Sequence, residues 1–117
     1  MSPHRAAAPS YPVSIFIAGE YGRCVQLCED YCTAVGLCVT ITRTHYAYSF
    51  GGEEGMIIGL INYPRFPKEP AQIRAHAEEL ALSLLGHLRF PPQESCTIHT
   101  PEQTYWISFR EGDLKPS

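Results

Sequence analysis

The chain has 117 residues, of which 44% are hydrophobic and 18% charged, with a net charge of -3. Such a chain can bury a core as one domain, which excludes intrinsic disorder. Nine Lys plus Arg without a basic run disfavour generic nucleic-acid binding, and no apolar run is long enough for a membrane span.

Residues 1–12 read as a flexible lead-in ending at Pro12. Arg5 has no apolar stretch behind it, so the sequence predicts no secretory signal and a cytoplasmic protein. The domain proper is expected over 13–110, with a loose tail over 111–117. Val13 to Ala18 (VSIFIA) is apolar, rich in β-branched residues and bounded by Pro12 and Gly19, hence a strand. Glu20 to Val35 has a helical stripe, with Cys24, Leu27, Cys28, Tyr31, Cys32 and Val35 at spacings of three and four. Gly36 stands where a left-handed C-terminal cap belongs.

Leu37 to Thr42 alternates as a strand, and Thr44 to Phe50 continues it with Tyr46, Tyr48 and Phe50 on one face. The large apolar residues change parity between Ile41 and Tyr46, which predicts a bulge near Arg43 or a change of partner faces. Gly51 to Gly55 (GGEEG) reads as a hairpin loop with Glu53 and Glu54 at its tip. Met56 to Tyr63 is apolar on both faces and is expected at the centre of the sheet. Pro64, Pro67 and Pro70 favour an extended crossing, and Pro70 suits the first turn of the next helix. That helix is expected over Ala71 to Leu88, with Ile73, Ala77, Leu80, Leu84 and Leu88 buried. Ser95 to Thr100 and Thr104 to Phe109 read as strands joined by a tight turn at Pro101 and Glu102.

The order β-α-β-β-α-β predicts an α+β, ferredoxin-like fold: an antiparallel sheet with two helices on one face and an extra C-terminal strand. The second face of such a sheet is open or covered by a partner.

Chemistry-bearing residues are sparse. The five cysteines, Cys24, Cys28, Cys32, Cys38 and Cys96, are odd in number and include no CxxC pair. Free thiols follow, and those of the helical stripe read as small apolar core residues rather than a metal site. No segment matches a nucleophile elbow, a phosphate loop or a zinc-protease helix, and the adjacent pairs Glu53–Glu54 and Glu78–Glu79 point apart. The sequence therefore assigns no catalytic residue, no metal and no cofactor. Ile15 to Gly19 resembles the first-strand motif of RNA-recognition-motif proteins. The stretch matching their third strand, Glu54 to Leu60, lacks the basic and aromatic residues of that motif.

The residues that suit an interface are Tyr46, Tyr48, Glu53 and Glu54 around the hairpin, with Arg65 and Phe66 on the stiff proline crossing. Ser14 to Glu20 (SIFIAGE), Gly36 to Thr42 (GLCVTIT), Gly51 to Gly55 (GGEEG) and Gly59 to Pro67 (GLINYPRFP) resemble stretches of short uncharacterised phage and prophage proteins. That resemblance implies an accessory protein that binds a host protein or complex, as an inhibitor of a host defence component. The leading expectation is thus a non-enzymatic protein-binding module. The alternative is an oligomeric small-molecule-binding or sensor domain, for instance a homodimer with a ligand between two sheets, and a small enzyme stands third.

Overall fold

The computed structural model describes residues 2–88 and 93–110. Seven elements follow one another among these residues: β1 (Val13–Ala18), α1 (Tyr21–Val35), β2 (Thr40–Tyr48), β3 (Gly51–Leu60), α2 (Pro70–His87), β4 (Ser95–His99) and β5 (Thr104–Ser108). The strands form one sheet in the order β2-β3-β1-β4-β5, and every neighbouring pair is antiparallel. This is the ferredoxin-like arrangement, extended at one edge by β5.

Local chemistry sets the helix ends. The Glu20 carboxylate accepts from the Gly22 and Arg23 amides at 2.8 and 2.6 Å and so caps α1. Gly36, at φ 71°, closes α1 in the left-handed conformation and donates its amide to the Cys32 carbonyl. Pro70 opens α2 where a missing N–H costs nothing, and the Gln72 side chain accepts from the Glu69 amide.

The core lies between one sheet face and the helices. Ile15, Ile17, Met56, Ile58 and Ile98 on the sheet meet Ile73, Leu80 and Leu84 of α2, all essentially inaccessible to water. Burial of such side chains contributes about 1.5–3 kcal/mol each and is the main stabilising term. Cys24 and Cys28 lie buried in the same core, whereas Cys32 is only partly covered, so the thiol stripe emerges from the core toward the end of α1. The helices also meet through Tyr31, whose hydroxyl lies 3.1 Å from His76 Nδ1.

Several expected boundaries are corrected. β2 starts at Thr40, because Leu37 and Cys38 belong to the crossing from α1, and β3 ends at Leu60 rather than Tyr63. No bulge interrupts β2: its register with β3 runs unbroken from Thr40↔Gly59 to Tyr48↔Gly51. The hairpin turn falls at Ser49 and Phe50, with Phe50 at φ 69°, so Gly51 to Gly55 is strand and not loop. Phe50 consequently leaves the aromatic strand face and stands fully exposed in the turn. The extra strand β5 pairs with β4 from Ser95↔Ser108 to His99↔Thr104.

The end of the lead-in is fastened to this frame at Pro9 and Tyr11. The buried Asn62 amide donates to the Pro9 carbonyl, and the Tyr11 hydroxyl donates to Glu102 at 2.5 Å while accepting from Arg74. The Tyr11 hydrogen bond holds the Glu102 carboxyl below its ordinary value near 4.5. A depressed acid stabilises the fold above its unfolded pKa, and that contribution disappears as the pH falls through the folded pKa. A carboxylate titration by NMR should place Glu102 below the usual range, and Tyr11→Phe should return it upward. An unshifted Glu102 in the parent protein would show that this contact is not formed. The residues 111–117, expected as a loose tail, and 89–92 lie outside the described residues.

Candidate functional site

Strand alternation sorts the sheet into two faces. The face turned from the helices carries Ser14, Phe16 and Ala18 of β1, Thr42, Thr44, Tyr46 and Tyr48 of β2, and Glu53, Gly55, Ile57 and Gly59 of β3. Thr97 of β4 and Trp106 of β5 continue it. Phe16 and Ile57 are half-buried, while Tyr48 and Trp106 are 56% and 53% exposed. The open face is thus aromatic and threonine-rich. It carries no Lys or Arg among the described strand residues.

Tyr46, Tyr48 and Glu53 come together at the hairpin end of this face. Tyr46 pairs across the sheet with Glu53, and Tyr48 follows two residues along the same face of β2. The Tyr46 ring lies across Gly55, and its hydroxyl donates to the Met56 carbonyl at 2.6 Å. Burial pushes the Tyr46 phenol up to about 12, so it keeps its proton at neutral pH and stays anchored. Glu53 and Tyr48 remain exposed beside it. Two aromatic rings next to a carboxylate can hold a flat or cationic group by stacking, cation–π attraction and charge pairing.

Glu54 belongs to a different surface. It points to the helix side of the hairpin, where its carboxylate lies 2.7 Å from His45 Nδ1. The expected acidic tip is therefore two acids on opposite faces. Arg65 and Phe66 are also separate: they follow the far end of β3, about 30 Å along the strand from the hairpin turn. The Arg65 guanidinium sits 5.5 Å from the Phe66 ring centre. Sequence reasoning named the tyrosines and Glu53 but not Trp106 as part of the same face. The parity of β5 carried that signal.

The thiols supply no constellation of this kind. The Cys24 and Cys28 sulfurs are 4.0 Å apart, and Cys28 is pushed up by its hydrogen bond with Cys24 and by burial. Burial raises the Cys96 thiol to about 11. Among the described residues no group of three or more His, Cys, Asp or Glu side chains could hold a metal ion. In the native protein Cys38 should react with a disulfide reagent first and Cys32 more slowly. Cys24, Cys28 and Cys96 should react only on unfolding, because the thiolate is the reactive form. Fast native labelling of Cys28, followed by peptide mapping, would contradict this packing.

No family model matches the chain, and no curated protein does. Among solved structures it is similar to a phage SAM lyase in complex with S-methyl-5'-thioadenosine. That likeness has 14% identity and a TM-score of 0.64, and covers 95% of this chain and 100% of that one. It is also similar to phage SAM lyase in the apo state, with 14% identity, 86% and 90% coverage, and a TM-score of 0.62. At that identity the likeness shows a shared fold. No helix among the described residues is long and apolar enough to cross a membrane.

Proposed function

We propose that this protein is a phage-type SAM-cleaving or SAM-binding protein whose ligand lies on the open sheet face at Tyr46, Tyr48 and Glu53. The end-to-end likeness in fold to phage SAM lyase carries this reading. The chemistry of the face agrees with it. S-adenosylmethionine offers an adenine ring that stacks on a tyrosine and a sulfonium cation that pairs with a carboxylate or an aromatic face. On this reading the host component acted on is a metabolite rather than a protein.

The reaction balances without a co-reactant. The bond between the sulfonium sulfur and the aminobutyrate chain breaks, and its electron pair stays on sulfur, giving neutral S-methyl-5'-thioadenosine. The four-carbon fragment completes its valence by closing its own carboxylate onto that carbon, a step that releases no proton. The protein has then to hold the reacting atoms together and exclude water. In a monomer the face is open to solvent, so a second copy covering it would complete the site.

The test is incubation of the protein with S-adenosylmethionine, with S-methyl-5'-thioadenosine followed by mass spectrometry and both compounds titrated by calorimetry. Product in excess of protein, or binding of either compound at micromolar levels, is expected. Neither product nor binding would overturn the reading. A second reading, a protein-binding inhibitor, is favoured by the exposure of Tyr48 and Trp106, which suits anchors for a protein partner.

A further inference from the structure

At the opposite end of β3 from Tyr46 and Glu53, the chain lines a half-open cavity of about 480 Å3. Its walls come from three places. The turn after α1 gives Leu37 and Cys38, the end of β3 gives Leu60 and Ile61, and the proline crossing and α2 give Phe66 and Ile73. The volume is that of a site for a drug-sized molecule.

The one side-chain amide on the walls is already engaged. Asn62 is buried, with its amide donating to the carbonyls of Pro9 and Lys68 at 3.0 and 3.1 Å and its oxygen accepting from the Lys68 amide at 2.9 Å. The neighbouring Cys38 thiol pushes the Tyr63 phenol up from its ordinary value. Inside, a ligand would therefore meet hydrocarbon and an aromatic ring. Phe66 and Ile61 remain 65% and 51% exposed around this space, an arrangement water does not favour.

The charged residues of the lining are Arg65 and Lys68, and no carboxylate lines the cavity. Neither cation has an ion-pair partner among the described residues. Two cations at an apolar cavity attract one chemistry: an anionic head on a hydrophobic body.

We infer that the cavity between the α1–β2 turn and the proline crossing is a binding site for a small, free amphipathic carboxylate, with its body against Leu37, Leu60, Ile73 and Phe66 and its head at Arg65 and Lys68. This site is distinct from the open sheet face and does not rest on the SAM reading. Its occupancy would also cover Cys38, which lines the cavity and is otherwise exposed.

Decanoate, kept below its micelle concentration, is a suitable probe, with 1-decanol and decyltrimethylammonium as neutral and cationic counterparts. Decanoate should shift the backbone NMR signals of Leu37, Ile61 and Lys68 and slow disulfide-reagent labelling of Cys38. The double variant Arg65→Ala/Lys68→Ala should bind decanoate about tenfold more weakly, the size expected for a hydrogen bond to a charged group. Its affinity for decanol should not change, and the unaltered far-UV spectrum of a variant at two surface positions would verify folding. Three results would each overturn the inference: binding of the cation as tightly as the anion, equal decanoate affinity in the double variant, or unchanged Cys38 labelling at saturating decanoate. Competition by anionic vesicles but not by free decanoate would also overturn it, in favour of a membrane surface as the occupant.

Discussion

A Gly55→Ala variant is expected to lose about 3 kcal/mol of folding stability, the upper part of the range for overpacking a closed site. An added methyl at Gly55 would stand 2.5 Å from the Ile17 carbonyl oxygen and 2.8 Å from the Ala18 Cα, and would also strike the Tyr46 ring. The first two obstacles are backbone of the neighbouring β1, paired with β3 through Ala18↔Gly55, so they cannot rotate away. Relief requires moving β1 from β3 or expelling Tyr46 from its hydrogen bond to the Met56 carbonyl. Gly59→Ala on the same face is the control. There the methyl meets the Thr40 hydroxyl at 2.6 Å, a side chain on an exposed residue that can turn. Replacing a strand glycine also recovers roughly 0.5–1 kcal/mol of chain entropy, so Gly59→Ala should be close to neutral. Urea unfolding of both variants decides the matter, and equal midpoints would show that the strand contact at Gly55 is looser than described.

The contrast between these glycines explains what the sequence made legible. β1, both helices and the left-handed cap at Gly36 were readable because periodicity, bounding residues and cap chemistry agreed. The position of the hairpin turn was not, since Gly51 to Gly55 has the composition of a turn and little strand propensity. It becomes strand because β2 supplies a full register of partners and Tyr46 fills the space left over Gly55. The true turn places Phe50 at positive φ, a conformation that bulky residues rarely adopt and that composition would not suggest. The consequence reached the candidate site. Once residues 51–55 are strand, alternation sends Glu53 to the open face and Glu54 to His45, so a single acidic tip no longer exists. Arg65 and Phe66 were legible as exposed residues on a stiff loop. The cavity beside them was not, because Leu37 and Ile61 are far apart in sequence and meet only through the crossing of α1 back to the sheet.

Two substitutions on the open face should separate the parts of the proposed ligand. Tyr48→Ala removes an exposed ring that can stack on adenine, while Tyr46, anchored by its bond to the Met56 carbonyl, keeps the strand in place. Base–aromatic stacking contributes about 1–3 kcal/mol, so affinity should fall by roughly five- to 150-fold. S-adenosylmethionine and S-methyl-5'-thioadenosine should lose the same factor, because both carry the adenine. Glu53→Gln acts on charge alone, with size and position preserved. A carboxylate about 4 Å from a cation gains between about 1 kcal/mol in water and 4 kcal/mol in a partly shielded site. The sulfonium ligand should therefore bind about tenfold more weakly, and the neutral thioether should be unaffected. The same logic fixes the kinetics. Positive charge disappears as the carbon–sulfur bond breaks, so Glu53 favours the bound substrate at least as much as the transition state. Its loss should raise KM with little fall in kcat, whereas a group acting on the transition state would lower kcat. Calorimetry with both ligands and steady-state rates with the sulfonium measure these quantities directly. Equal weakening of both ligands by Glu53→Gln would show that the carboxylate does not face the sulfonium. If Tyr48→Ala left both affinities intact, adenine would not lie on this face of the sheet.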